Sequence, residues 1–398
     1  MDDRMALAAV LDMVPNWYGA DVGPVRYDLR LGGEVLEFWG HRRPTPALRR
    51  FIEVVRHDIE GVVSRLDPFA DVVAVDLLQE YFALEWLSIV APDIAWQAVL
   101  DYSRTCMLRT YENAEVSFNL VIREGAGEHR ITDATAQKIL DPLAASLRTY
   151  FEVDTDLRIT GYDEISWDDV EDERDYAFAP EFLRPFVCVL QGGEHSVHQT
   201  SRGDLVIMNH EGLIAAKRKG RWKIYDVATL KNSITDALGQ YRIGANLFET
   251  CFDLSFRRHG ALLIYDPMQD VIENVVNVES CFHRGEQTDI ARKMLEPSVG
   301  NLSMRALERE ERKKLLLLEL ASIDGAVIFD DDSILAVGAM VRTHQAVPGE
   351  AGARTTAARS AFLFGGRPVK ISSDGEIAIY FSSSDGEGER ADASLEFL

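Results

Sequence analysis

Ser322-Ile323-Asp324-Gly325-Ala326-Val327-Ile328-Phe329, followed downstream by Gly352-Ala353-Arg354-Thr355-Thr356-Ala357-Ala358, is the stretch on which the reading of this chain turns. Asp324-Gly325-Ala326 opens a run of apolar and β-branched residues. That places the aspartate at the entry of a buried strand, beside a glycine that lets a ligand or another backbone come close. A carboxylate there could hold Mg2+ or take a proton from a hydroxyl. The strand stops at the turn composition Asp330-Asp331-Asp332-Ser333, and Ile334 to Val341 reads as the returning arm of a hairpin. Taken alone, the plainer reading is a β-hairpin with an aspartate at its entry, because short motifs recur by chance.

The order of four segments says more. Residues from about 230 to 381 resemble the diadenylate cyclase (DAC) family, enzymes that join two ATP molecules into cyclic di-AMP. The helical stretch Ile234 to Phe256 leads into Arg257-Arg258-His259-Gly260-Ala261-Leu262-Leu263-Ile264-Tyr265-Asp266, similar to the family's Gly-Ala-Leu-Ile-Val-Ile-Glu strand. Asp324, Gly325 and Ala326 match its Asp-Gly-Ala signature, and Gly352-Ala353-Arg354-Thr355-Thr356 stands where the family has Gly-Thr-Arg-His-Arg at the head of a helix. Ile371-Ser372-Ser373-Asp374-Gly375-Glu376-Ile377-Ala378 resembles its closing strand, turn and strand.

The resemblance implies a catalytic Asp324-Gly325-Ala326 segment and a phosphate grip built from Gly352, Arg354, Thr355, Thr356 and Arg359. It implies a divalent metal, Mg2+ or Mn2+, arriving with ATP on Asp324, with Asp374 as a second contact. It also implies a homodimer or higher homo-oligomer in which two such domains face one another. The departures are as informative. Arginine pairs phosphate oxygens bidentately, and only Arg354 of the second signature's cations is kept. Thr355 and Thr356 stand in place of a histidine and an arginine, although a helix start attracts anions through its dipole and free N–H groups regardless. The turn after Ile371 is one residue shorter than the family's, and Ser373 stands near the expected metal-binding glutamate. Either Asp374 takes that role or the contact is lost. Arg359, one helical turn past Thr355, or Arg342 and His344 could compensate for the missing cations; a solvated surface is the plainer reading of all three.

Composition bounds the rest. The chain has 398 residues, 46% hydrophobic, enough for two or three domains. A net charge of −23 disfavours nucleic acid and anionic membranes as partners. The single basic run, Lys217-Arg218-Lys219-Gly220-Arg221-Trp222-Lys223, lies in an expected hairpin. Four cysteines, Cys106, Cys188, Cys251 and Cys281, lack metal-type spacing and read as buried thiols of a reducing, cytoplasmic compartment. No signal peptide or membrane-crossing apolar run is read, and neither a Walker-type Gly-x-x-x-x-Gly-Lys nor a nucleophile elbow is present.

The expected fold class is α/β. A C-terminal DAC-like domain over 229–382, with a mixed central β-sheet flanked by helices, follows an α+β sensor-like region over 1–228 with a sub-boundary near 152–180. An acidic, disordered tail is expected over 383–398. In the N-terminal region helices are expected over Pro44 to Arg65, Leu77 to Leu108 and Thr132 to Phe151, with strand character over Glu115 to Ile122 and Phe186 to Leu190. A β-meander is expected over Leu205 to Asp226. His195 and His198 read as ordinary loop histidines rather than a metal pair, and the acidic run Asp168 to Glu173 as an exposed linker. Two functions follow from the resemblance: a cyclase condensing two ATP into a cyclic dinucleotide, or a binding module that retains the nucleotide pocket as a sensor.

Overall fold

The computed structural model describes residues 3–14, 25–31, 34–40, 45–66, 71–111, 114–133, 140, 143, 148–165, 179–225, 238–239, 241–282, 290–299, 302, 311–347, 352–384 and 390–397. The chain is of the α/β class and divides into two compact units, one of Met1–Pro15, Arg26–Trp39 and Arg43–Thr229, the other chiefly Leu230–Leu398. The acidic run Asp168 to Glu173 lies outside the described residues.

In the first unit, α1 (Asp3–Met13), α2 (Pro46–Leu66), α3 (Asp71–Val90) and α4 (Trp96–Met107) accompany a seven-stranded sheet of order β11-β10-β9-β8-β5-β6-β7. Its strands are β5 (Phe118–Ile122), β6 (Thr149–Val153), β7 (Ile159–Glu164), β8 (His195–Gln199), β9 (Leu205–Asn209), β10 (Gly212–Arg218) and β11 (Arg221–Ile224). The short pairs β1 (Val25–Leu31) with β2 (Glu34–Gly40) and β3 (Thr110–Tyr111) with β4 (Ala114–Glu115) stand apart from it. Helix α2 starts where Thr45 Oγ1 accepts from the Leu48 N–H, with Pro46 in the first position. Its buried residues, Leu48, Phe51, Val55, Ile59, Val62, Val63 and Leu66, recur at helical spacing and form one apolar stripe. Phe51 meets Phe82 and Trp86 of α3 edge to face, at 6.3 and 5.8 Å between centroids. Burying each such ring contributes about 1.5–3 kcal/mol. The Trp86 indole N–H donates to the Ile214 carbonyl, tying α3 to the sheet.

The helical pattern from Leu77 to Leu108 is split into α3 and α4, because Pro92 cannot continue a helix. Phe186 to Leu190 is not a strand: α5 (Arg184–Val189) occupies it, with Pro185 pre-set for the first turn. A short apolar run does not distinguish the two by pattern. Thr149 to Phe151, expected as the end of a helix, belong instead to β6, and most of the residues from 134 to 147 are not described.

The basic run is a two-residue hairpin with Lys219 and Gly220 at φ 50° and 81°. Its charges are taken up locally, Lys217 by Glu80 and Lys223 by Asp12. His195 and His198 are not in a loop but on β8, both buried. His198 Nδ1 bonds Asn119 Oδ1 at 2.9 Å and Nε2 bonds the Ser196 hydroxyl at 2.9 Å, with the ring packed on Phe186.

The second unit contains α6 (Tyr241–Arg257), β12 (Ala261–Tyr265), α7 (Ile290–Val299), α8 (Glu311–Ala321), β13 (Ala326–Phe329), β14 (Ile334–Ala339), α9 (Ala353–Leu363), β15 (Arg367–Ile371), β16 (Ile377–Ser384) and β17 (Arg390–Phe397). Its sheet runs β14-β13-β12-β15-β16-β17, parallel only between β12 and β13. Every residue of β12 is buried, as a strand covered on both faces requires. Leu262, Ile264, Ala326, Ile328 and Ala378 share one face with Ala358 and Ala361 of α9. Helices α6 and α8 pack on each other, α6 against β15 and α8 against β12 to β14, joined by the Lys314–Glu249 ion pair at 2.8 Å. The residues expected to form a disordered tail include β17, antiparallel to β16 from Ile377↔Phe397 to Ser384↔Arg390. Ala391, Ala393, Leu395 and Phe397 alternate with polar residues, the period-2 pattern of a strand, which acidic composition obscures.

Burial holds His198 neutral, its pKa lowered to about 3 from 6.5. The folded-state pKa is depressed, so no penalty exists above pH 6.5. Stability is lost as pH falls through 6.5, because only the unfolded chain takes up the proton. At pH 5 the loss from this group is about 2 kcal/mol. Urea unfolding of wild type and His198→Gln at pH 7.5 and pH 5 should show that difference in slope; equal pH dependence would contradict it.

Candidate functional site

Helix α8 ends at Ala321, where the Ser322 hydroxyl turns back to donate to the Leu318 carbonyl at 2.9 Å. Four residues, Ser322 to Gly325, separate α8 from β13, and Asp324 is one of them. Gly325 has φ 106°, a conformation that disfavours any side chain, and a Cβ there would come within 2.6 Å of the Gly338 oxygen and 2.8 Å of its Cα. Gly338 itself has φ 69° and sits in an irregularity of the β13–β14 pairing, between Ala326↔Ala339 and Ile328↔Ala336. The two glycines therefore touch backbone to backbone. Asn277 holds the bulge from outside: its Nδ2 donates to Gly338 O at 2.9 Å and its Oδ1 accepts from Met340 N at 2.7 Å. The outcome is a carboxylate at Asp324 that is 98% exposed, lifted off the sheet.

The second signature meets it. Helix α9 begins after Gly352, the N-cap residue, and no side chain caps that end. Arg354, in its first turn, donates from Nη2 to Asp324 Oδ1 at 3.4 Å. Such an exposed pair contributes little to stability and separates readily. The Arg354 guanidinium passes over Gly260, just before β12: a Cβ at Gly260 would lie 2.9 Å from Arg354 Cζ and 3.3 Å from Ser373 N. Arg354, Gly260 and the turn that carries Asp374 are thereby brought together. That turn is held by Ser372, whose hydroxyl accepts from Asp374 N at 3.2 Å and Glu376 N at 3.1 Å, and it leaves Asp374 exposed.

The remaining expected residues divide. Thr355 Oγ1 accepts from Lys370 Nζ of β15 at 3.5 Å. Thr356 N donates to Gly352 O, the first helical bond of α9, and Thr356 O accepts from the buried Ser360 hydroxyl. Arg359 is exposed on α9, and among the described residues it makes no hydrogen bond or ion pair to Asp324, Arg354 or Thr355. Arg342 is exposed, while His344 Nδ1 accepts from Ala346 N within its own loop and its ring packs against Phe364. Gly338, Asn277 and Lys370 were not singled out from sequence, and Gly260 entered only as the first residue of the β12 segment. An isolated glycine inside a strand pattern, as at Gly338, is the one local signal that could have marked the bulge.

The arrangement offers an exposed carboxylate, a guanidinium, a hydroxyl and an ammonium around an uncapped helix start. Among the described residues no three His, Cys, Asp or Glu side chains group to bind a metal without help. Asp324, exposed and held only by a long contact to Arg354, fits a cation of the Mg2+ type, which uses one or two carboxylates and takes other ligands from substrate phosphates and water.

No family model and no curated protein matches the chain. Solved structures that resemble it include the following two. One is a hypothetical membrane spanning protein from Bacillus cereus, at TM-score 0.27 and 16% identity over 43% of this chain and 75% of that one. The other is DacA from Staphylococcus aureus in a double-mutant form, at TM-score 0.23 and 18% identity over 37% of this chain and 83% of that one. At those TM-scores neither structure bears on the site. In this chain, no described helix is long and apolar enough to cross a membrane.

The glycine contact is directly testable. Gly325→Ala should cost on the order of 1–3 kcal/mol through strain and overlap with Gly338. Gly352→Ala, at φ −57° with nothing within 4 Å of the added carbon, should stay within about 1 kcal/mol of wild type. Thermal unfolding of both variants gives the comparison, and equal midpoints would contradict the packing described.

Proposed function

We propose that the second unit is a nucleotide-binding domain of the diadenylate cyclase type, a nucleotidyltransferase that condenses two ATP molecules into a cyclic dinucleotide. The observation that carries this reading is the meeting of Asp324 and Arg354, from segments 30 residues apart, at the start of α9. A nucleoside triphosphate and its metal give both groups a partner: the guanidinium and the free N–H groups take phosphate oxygens, and the carboxylate takes the cation.

In the reaction, the 3′-hydroxyl oxygen of one nucleotide bonds to the α-phosphorus of the other. The bond to the β-phosphate oxygen breaks, pyrophosphate leaves, and the hydroxyl proton passes to a carboxylate or water; a second identical step closes the ring. Arg354 and Thr355 hold the phosphates, Thr356 and Gly352 shape the helix start beneath them, and Asp324 orients the hydroxyl. Asp324, with Asp374 as a second contact, would hold Mg2+ or Mn2+, which when bound neutralises charge on the phosphates. One domain supplies a single Asp324, so ring closure calls for two copies facing each other.

A second reading, a nucleotide sensor without turnover, is supported by Thr355 and Thr356 standing where the family carries cations. Positioning and charge stabilisation dominate such chemistry, so their loss weakens catalysis more than binding. Mass spectrometry of products from ATP with Mg2+ or Mn2+ separates the two. A cyclic dinucleotide is expected from wild type and at least about 100-fold less from Asp324→Ala. ATP binding without product would leave the sensor. Arg354→Ala should weaken ATP binding on the order of tenfold under either reading, measured by calorimetry.

A further inference from the structure

We propose that Lys370 is a phosphate-binding residue of this site, supplying from the sheet a cation that the second signature lacks. The inference rests on the nucleotide reading of the site, and names which of this chain's own residues completes it.

Lys370 lies on β15, paired with Leu262 of β12 and with Ala378 of β16. Leu262 and Ala378 both pack on the sheet face that Ala358 and Ala361 of α9 cover, so the Lys370 stem starts on that apolar face. Lysine in such a place carries its charge to the nearest polar edge. Here the edge is the first turn of α9, where Nζ stands 3.5 Å from Thr355 Oγ1. The next residue back on that turn is Arg354, whose guanidinium lies over Gly260. Two cations are thus gathered at one helix start whose own dipole is positive.

That concentration of like charge is unfavourable by itself. Arg354 is offset by Asp324, but among the described residues Lys370 has no carboxylate partner, in a chain carrying 65 acidic residues against 42 Lys and Arg. A half-buried lysine tied only to a threonine hydroxyl suits an anion that arrives from outside. A triphosphate spans several ångströms and carries enough charge to engage Arg354 and Lys370 together, with Thr355 steering the ammonium between them. In this arrangement a threonine at the histidine position of the signature is not a gap: its hydroxyl is the anchor that aims the lysine.

The test uses the full chain and calorimetric titration with inorganic tripolyphosphate, without metal, on wild type, Lys370→Met and Lys370→Arg. Lys370→Met, which keeps the stem and removes the charge, should bind on the order of tenfold more weakly, and Lys370→Arg should stay near wild type. A melting temperature for unliganded Lys370→Met at or above the wild-type value confirms that the loss is not unfolding; if that variant folds poorly, Lys370→Gln takes its place. Equal affinity of wild type and Lys370→Met, or no tripolyphosphate binding by wild type, would overturn the proposal. Charge-dependent binding with no cyclic product from ATP would support Lys370 while removing the cyclase reading. Product formed by Lys370→Met at wild-type rate and KM would overturn Lys370 and leave the cyclase in place.

Discussion

The second unit depends on one constraint: β12 is buried along its whole length and must be paired on both edges. It takes β13 in parallel on one side and β15 antiparallel on the other. Because a parallel partner starts from the same end, the residues just before β12 and just before β13 lie together, and these are Gly260 and Asp324. An antiparallel partner finishes at that end, which delivers Lys370, Ser373 and Asp374. Helix α9, laid across Leu262 and Ile264 through Ala358 and Ala361, brings its start to the same place. The site is therefore a consequence of how one buried strand satisfies its edges.

Within that frame the glycines decide reach. Gly325 and Gly338 allow two backbones to touch where any Cβ would separate them, so the loop before β13 lifts Asp324 clear of the sheet. Gly260 does the same for Arg354. The acidic side of the site is open and the cations are loosely held, Arg354 at 3.4 Å from Asp324 Oδ1 and Lys370 at 3.5 Å from Thr355 Oγ1. Such an arrangement costs little to reorganise, because each contact in it is long and at least partly exposed.

The first unit follows different rules. Its helix α3 lies between α2 and the sheet, and a buried polar network ties the strands: His198 with Asn119 and Ser196, Gln199 with Ser103 and the Val116 carbonyl. Both nitrogens of His198 are occupied by protein groups, so the ring is a structural member of β8 and not a ligand waiting for a metal.

What the sequence determined by itself was local. Asp324-Gly325-Ala326 before an apolar run, the acidic turn between β13 and β14, and the apolar stripe of α2 are all carried by period or turn chemistry, which act over a few residues, whereas the helix start after Gly352 came from the family resemblance, since no side chain caps it. Where the local signal was ambiguous or masked by composition, sequence reading went astray, as with α5, read as a strand from a short apolar run, and β17, hidden by its acids despite its alternation. Only the tertiary structure decided which side chains of different segments would meet. The bulge at Gly338, the Asn277 clamp, the passage of Arg354 over Gly260 and the reach of Lys370 to Thr355 depend on strand register and helix placement. Register is set by burying the sheet faces of the whole unit, a constraint no short window of sequence contains.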